Sequence, residues 1–103
     1  MRVEKLANHG WFVGSFDKAV YRSDLTEVCY RKEPVGPHAA HYHTRCTEIL
    51  LIVGGKAQVN DRILTAGEII IYEPGEINNI VYLEETTIVC VKTPAGGNDK
   101  VLV

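Results

Sequence analysis

The sequence predicts an all-β protein, a sandwich or a barrel, folded as one domain. Ile, Val, Tyr and Thr are frequent, and Gly or Pro interrupts the chain at intervals typical of short strands joined by turns. Helix signals are weak, because Gly10 and Gly14 interrupt the N-terminal stretch. The 103 residues match one domain. We predict a barrel over residues 19–93, with 1–18 as an N-terminal extension or edge strand and 94–103 as a C-terminal tail.

The individual strands are predicted where β-branched and aromatic residues accumulate between turn residues. Gly54-Gly55 is typical of a hairpin turn and predicts that the strand ending at Val53 pairs with the strand that follows it. Asn60-Asp61 predicts a second tight turn, because both residue types tolerate the left-handed conformation that such turns require. In chain order, strands are expected near residues 19–23, 26–33, 38–43, 47–53, 56–60, 62–65, 68–72, 76–83 and 86–92.

The strand that contains Glu48 has two apolar faces. If Glu48 points into the barrel, strand alternation turns Leu50 and Ile52 inward as well. The outward positions are also aliphatic, namely Ile49, Leu51 and Val53, and the segment Ile69 to Ile71 repeats the pattern. A large exposed apolar face usually marks an interface. We therefore expect a homodimer in which a second copy covers this face.

Composition and charge exclude several classes of function. The chain has eleven Lys and Arg and thirteen Asp and Glu, a net charge of −2. This charge does not indicate a protein that binds nucleic acid or an anionic membrane. The longest aliphatic run, Ile49 to Val53, is far shorter than a membrane-spanning helix, and the first residues lack the apolar stretch of a signal peptide. Cys29, Cys46 and Cys90 lack CxxC spacing, so we expect three reduced thiols in a cytoplasmic protein. From the charge and the short apolar runs we expect no nucleic-acid and no membrane partner.

One polar segment carries the residues suited to chemistry. His41 and His43 stand two positions apart, which on a strand places both imidazoles on one face. Glu48 follows after a short polar connection, at the head of an apolar strand, where an unpaired charge would be costly. Two imidazoles and a carboxylate suit a divalent transition metal, so these three residues are candidate ligands. His38 is expected on the opposite face of the strand, at the rim or surface.

These residues resemble the first motif of the cupin superfamily, which here reads His41-x-His43-x4-Glu48-x6-Gly55. Gly67 and Gly75 match the two glycines of the second cupin motif, although Pro74 is displaced by one position. The resemblance implies a double-stranded β-helix, the jelly-roll or cupin barrel, in a form that often dimerises.

The resemblance also implies a set of four metal ligands. Carried over residue by residue, the ligands are His41, His43, Glu48 and Asn78. Asn78 departs from the family pattern, which has histidine there, and an amide oxygen is a weaker ligand than imidazole for a transition metal. Two outcomes are open. In one, Asn78 or its neighbour Asn79 binds the metal through oxygen or holds a bound water. In the other, the metal rests on His41, His43 and Glu48 alone, a set that suits Fe(II). The implied cofactor is a divalent transition metal, either Fe, Mn, Ni or Zn.

Two main readings of function follow from this site. The first is a metal-dependent enzyme of isomerase or oxygenase type that acts on a small-molecule ligand, either sugar-like or carboxylic. Glu48 and Tyr82 are its candidate catalytic residues, since Tyr82 faces the interior if Asn78 does. The alternative is a non-catalytic cupin that binds a metal or small ligand and acts as a sensor or accessory protein, which the loss of the second-motif histidine favours. A third possibility is an assembly protein whose dimer surface is the functional part.

Overall fold

The computed structural model describes residues 1–95 and 97–103, so Gly96 of the predicted C-terminal tail lies outside the described residues. The predicted all-β class is confirmed, since one short 3-10 turn, Asn8–Gly10, stands among strands. The strands are β1 (Trp11–Gly14), β2 (Tyr21–Arg22), β3 (Glu27–Glu33), β4 (Gly36–Pro37), β5 (His41–His43), β6 (Thr47–Gly54), β7 (Ala57–Val59), β8 (Arg62–Leu64), β9 (Ile69–Tyr72), β10 (Val81–Tyr82), β11 (Thr86–Thr93) and β12 (Lys100–Leu102).

The strands form two facing walls of a barrel. One wall is a six-stranded sheet in the order β2-β1-β3-β11-β6-β9. The other contains the four-stranded sheet β4-β10-β7-β8 and the pair β12-β5. A backbone bridge between His41 and Asn78 ties β5 to the segment before β10, with hydrogen bonds of 3.1 and 2.7 Å. This bridge brings the two sequence motifs side by side.

The structure contradicts the predicted hairpin at Gly54-Gly55. Strand β6 pairs with β9 and β11, whereas β7 pairs with β8 and β10, so the chain crosses here from one wall to the other. Gly55 makes this crossing possible, because it has a φ of +103° and a Cβ there would lie 2.5 Å from Thr86 Oγ1. The second predicted turn is confirmed: Asn60 has a φ of +55°, and β7 and β8 pair across it.

Strands β4 and β12 lie outside the predicted strands, and β1 lies in the segment predicted as an extension or edge strand. Strand β1 lies between β2 and β3, and β12 pairs with β5 along its whole length. Conversely, the expected strands at 38–43 and 76–83 are reduced to the short strands β5 and β10. The missed strands β4 and β12 have only two and three residues, and alternation over so short a segment gives a weak signal.

The alternation predicted for β6 is confirmed. Glu48, Leu50 and Ile52 are buried, while the side chains between them face outward. The inward residues join a core that also includes Cys29, Ala57, Leu64, Tyr72, Ile80, Tyr82, Ile88 and Cys90. No helix among the described residues has the length and apolar character needed to span a membrane. The polar site adjoins this core, since Cys90 Sγ lies 3.7 Å from Glu48 Oε2.

Candidate metal centre

The three candidate ligands of the first motif meet inside the barrel. His41 and His43 lie on one face of β5 and are 2% and 4% exposed, and Glu48 at the start of β6 is 5% exposed. Glu48 Oε1 lies 3.7 Å from His41 Nε2, and Oε2 lies 3.5 Å from His43 Nε2. One donor atom from each residue lies within 4.8 Å of the others. The two-residue spacing on a strand therefore brings the imidazoles together as the sequence predicts.

The hydrogen bonds of the two imidazoles fix which nitrogen carries a proton. His41 Nδ1 lies 2.9 Å from the Ala39 carbonyl oxygen, which can only accept, so Nδ1–H is the donor. His43 Nδ1 lies 2.8 Å from Asp99 Oδ1 and donates to that carboxylate. In the neutral rings both Nε2 atoms then carry a lone pair, and both face Glu48. This is the tautomer that a metal ligand requires.

Glu48 supplies a negative charge to the same space. Burial acts to raise the pKa of its carboxyl, but the side chains of His41 and Asn78 favour the ionised form more strongly and lower the pKa to about 2. His43 Nε2 is buried and has no hydrogen-bond partner among the described residues. Buried polar atoms are normally satisfied. Two imidazole Nε2 atoms and a carboxylate that converge in this way fit a divalent cation, which would take the place of protons on Nε2.

Asn78 holds Glu48 in place. Its Nδ2 donates to Glu48 Oε1 at 3.0 Å, and its Oδ1 accepts the backbone N–H of Ile80 at 3.1 Å. These two partners fix the orientation of the amide, because the carboxylate needs a donor and the N–H needs an acceptor. The amide nitrogen thus faces Glu48 while the oxygen faces the backbone. A ligand role for Asn78 stays a prediction, and its neighbour Asn79 bonds instead to Asn60.

Asp99 is a site residue that the sequence reasoning missed. One of its carboxylate oxygens accepts from His43, and the other accepts the backbone N–H groups of Arg45 and Cys46 at 3.2 and 2.9 Å. These bonds outweigh the effect of burial and lower the pKa of Asp99, so it is ionised. Pairing of β12 with β5 carries Asp99 to this position. No motif includes Asp99, so only the pairing of the C-terminal strand could have revealed it.

His43, Cys46 and Asp99 form a second group of potential ligand atoms. Its members already satisfy one another through the hydrogen bonds of Asp99. Burial, with the nearby carboxylate, raises the pKa of the Cys46 thiol to about 12, so the thiol stays protonated. A protonated thiol is a poor ligand. The group is better described as the support of His43 than as a separate metal site.

A cavity of about 330 Å³ adjoins the candidate centre. Tyr82 lines it and is buried, which confirms the predicted inward face of this residue, while its catalytic role stays a prediction. His38 lines the same cavity, and its ring centroid lies 5.4 Å from that of His41. The expected placement of His38 on the opposite face is wrong, because residues 38–40 lie outside the strands and alternation does not apply there.

A second tyrosine lies beside Glu48. Tyr72 on β9 is the cross-strand neighbour of Glu48 and is 8% exposed. Its buried hydroxyl has no hydrogen-bond partner in the described part of the chain. Burial and the charge of Glu48 raise the pKa of this phenol to about 12. Tyr72 therefore carries a neutral hydroxyl next to the ligand group.

The fold can be compared with solved structures of similar architecture. A double-stranded β-helix domain protein from Klebsiella pneumoniae has a TM-score of 0.67 at 25% identity, covering 79% of this chain and 76% of that chain. A cupin-2 domain protein from Shewanella frigidimarina has a TM-score of 0.58 at 20% identity, covering 69% and 72%. The DMSP lyase DddQ from Ruegeria pomeroyi has a TM-score of 0.74 at 17% identity, covering 90% of this chain and 49% of the lyase.

These likenesses confirm the cupin fold, the double-stranded β-helix that the two motifs imply. No family model matches the sequence, and no curated protein matches it. The structural relatives include an enzyme, and this chain holds a group of residues that could bind a metal. Dimerisation stays a prediction.

Proposed function

We propose that this cupin-fold chain binds one divalent transition metal on His41, His43 and Glu48 and acts as an enzyme on a small organic substrate in the adjoining cavity. The observation that carries the proposal is the orientation of the two imidazoles. Each ring is anchored through Nδ1, so each turns Nε2, the nitrogen left to bind a metal, toward an ionised, buried carboxylate. A divalent cation between the two Nε2 atoms and the carboxylate would neutralise the buried charge of Glu48 and use all three groups as ligands.

The remaining residues of the site have supporting roles in this proposal. Asn78 donates to Glu48 and so fixes the carboxylate in one orientation, which replaces direct ligation by a second-motif histidine. Asp99 accepts from His43 and keeps its proton on Nδ1. Ligand partners of this kind raise metal affinity by about 10- to 100-fold.

A metal with open positions would polarise a carbonyl or hydroxyl oxygen of the substrate, the chemistry of isomerases, or would support oxygen chemistry. The chain's own residues would bind and orient the substrate. Tyr82 lines the cavity, and burial raises the pKa of its phenol, so it is a neutral donor. Apolar residues such as Leu50 and Ile88 line the same cavity and limit the access of water.

Elemental analysis of the purified, untagged protein tests the proposal. We expect about one equivalent of Fe, Mn, Ni or Zn in the wild type and almost none in a His41→Ala/His43→Ala double variant. His9→Ala is the control, because this histidine lies in the N-terminal turn and belongs to neither group of potential ligand atoms. A wild type that remains empty after incubation with each metal would refute the metal-dependent function.

A non-catalytic cupin that binds a metal or small ligand is the alternative. The observation that favours it is the use of Asn78 as a donor to Glu48, which leaves three protein ligands. A metal-loaded protein that binds small acids and sugars without converting any of them would support the alternative, and turnover of one such compound would exclude it.

We further propose that a second copy of the chain covers the outer face of the six-stranded sheet. Strand β9 is an edge of this sheet, and its Ile69 and Ile71 are each 58% exposed. Their cross-strand neighbours are Leu51 and Ile49, so the apolar surface continues onto β6. An uncovered apolar edge strand of this kind favours association. Sedimentation analysis tests whether the protein is a homodimer.

A further inference from the structure

Three cationic side chains line the cavity beside the candidate metal centre. They are Arg31 on β3, Lys92 on β11 and Lys100 on β12. The chain as a whole carries a net charge of −2, so these side chains are not part of a generally basic surface. Strand β3 and the C-terminal strands β11 and β12, from two distant parts of the sequence, bring positive charge to one cavity.

Both lysines are cross-strand neighbours of candidate metal ligands. Lys92 is paired with Glu48 in the register of β11 and β6, and Lys100 is paired with His43 in the register of β12 and β5. Residues paired in this way project from the same face of a sheet. Each lysine therefore enters the cavity next to a ligand.

Neither lysine is neutralised by an ion pair. Lys92 Nζ lies 4.8 Å from the ring centroid of Trp11, and no carboxylate of the described residues lies within ion-pair distance of Lys92 or Lys100. Arg31 is partly neutralised, since its Nε pairs with the buried Glu33. Its terminal nitrogens make no hydrogen bond with any residue in the described ranges and remain available to a ligand.

The charge of the cavity would become positive when a divalent metal is bound. Two carboxylates line it, Glu27 and Glu48, and Glu27 also accepts the backbone N–H of Gly97. Glu33 offsets the charge of Arg31, so Lys92 and Lys100 balance these two carboxylates, and a divalent metal would give the cavity a positive excess. In a partly buried cavity such an excess favours an anionic ligand, because opposite charges interact more strongly there than in water.

We propose that the cavity binds a small organic anion, with Lys92 and Lys100 holding its carboxylate beside the metal and Arg31 contacting its far end. This inference rests on the proposed function, because it takes the cavity as the substrate site, and it assigns that site to carboxylic acids rather than to neutral sugars. A carboxylate suits these partners, since each cation donates charge-assisted hydrogen bonds.

Calorimetric titration with malonate and its neutral amide analogue, malonamide, tests the inference. The protein is loaded with Mn(II), and its manganese content is measured for every variant. We expect the wild type to bind malonate and not malonamide. Lys92→Met and Lys100→Met keep the length of the side chain and remove its charge, and each should weaken malonate binding about tenfold or more.

The control is Lys32→Met, which removes the same charge from an exposed position of β3 that faces outward. It should bind malonate like the wild type. If Lys92→Met and Lys100→Met keep both their manganese and wild-type malonate affinity, malonate is held by the metal alone and the anion site is refuted, while the metal centre stands.

If the wild type binds none of Fe, Mn, Ni and Zn, the proposed function fails, and malonate titration of the metal-free protein then decides on the anion site. Binding that is lost in Lys92→Met but kept in Lys32→Met would support the site. Equal binding in all variants, or no binding, would refute it.

Discussion

Replacing Asp99 with asparagine should weaken metal binding without touching a ligand atom. Asp99 accepts from His43 Nδ1–H at 2.8 Å and from two backbone N–H groups at 2.9 and 3.2 Å. Asparagine has nearly the same shape but offers one oxygen and one NH2 group in place of two oxygens. Three donors then face a side chain that can accept on only one side.

Both orientations of the new amide are unfavourable. If the oxygen faces the backbone N–H groups, the NH2 group faces His43, and His43 must accept through Nδ1. Its proton then moves to Nε2 and removes the lone pair that faces Glu48. If the oxygen faces His43, the N–H groups of Arg45 and Cys46 lose their partner, at a cost of about 1–3 kcal/mol for each buried group.

We expect Asp99→Asn to lower metal affinity about 10- to 100-fold and to lower the melting temperature of the metal-free protein by about 4–8 °C for each kcal/mol lost. Competition with a chromophoric chelator measures the affinity, and nitrogen-detected NMR of the imidazoles reports the tautomer of His43. Asp61→Asn, at the exposed turn after β7, is the matched control. Wild-type affinity together with a retained Nδ1–H would refute the reasoning.

Four further predictions concern stability and association. Tyr72→Phe should leave the free energy of unfolding of the metal-free protein in urea unchanged or raise it by up to about 1 kcal/mol, because the buried hydroxyl has no hydrogen-bond partner among the described residues. A lower free energy of unfolding would show that the hydroxyl does have a partner. The pKa of Glu48 is lowered from 4.5 to about 2, so its contribution to the free energy of unfolding is present above pH 4.5 and is lost as the pH falls through 2. The free energy of unfolding of metal-free Glu48→Gln should therefore depend less on pH in this range than that of the wild type. Parallel pH dependences of the two proteins would contradict this. Gly55→Ala should cost more than about 1 kcal/mol, because its φ is +103° and Thr86 leaves no room for a Cβ, whereas the open Gly67→Ala serves as a comparison at a similar φ. Ile69→Lys should convert the expected dimer to a monomer in sedimentation analysis, and a wild type that is already monomeric would refute the dimer.

The sequence was most informative where periodicity and burial agree. The alternation of β6 predicted which of its side chains enter the barrel, and the two-residue spacing of His41 and His43 predicted that their rings share a face. The predicted hairpin at Gly54-Gly55 failed because a glycine pair marks a change of direction without specifying the partner strand. Strand pairing in this fold is long-range, and the nearest strand in sequence is not the partner of β6.

Residues outside regular strands were the least predictable. Strand alternation predicts that His38 lies on the face opposite His41, but β5 begins only at His41. The irregular backbone before it turns the ring of His38 toward His41 instead. Asp99 stands 56 positions from His43, and no local pattern links them. Lys92 and Lys100 look like ordinary surface lysines until the register places them opposite Glu48 and His43.

The residues that would bind the metal and the contacts that set their protonated nitrogens come from different parts of this chain. The motif spacing supplies two imidazoles and a carboxylate, but an imidazole is ready to bind a metal only when its other nitrogen holds the proton. That condition depends on the Ala39 carbonyl and on Asp99, and neither belongs to the motif. Asp99 reaches His43 only when β12 is paired with β5. Docking of the C-terminal strand and metal affinity should therefore be coupled, so a metal bound at His43 should protect the backbone amides of β12 from hydrogen exchange. Protection of β12 that is the same with and without metal would show that the strand is docked independently of the centre.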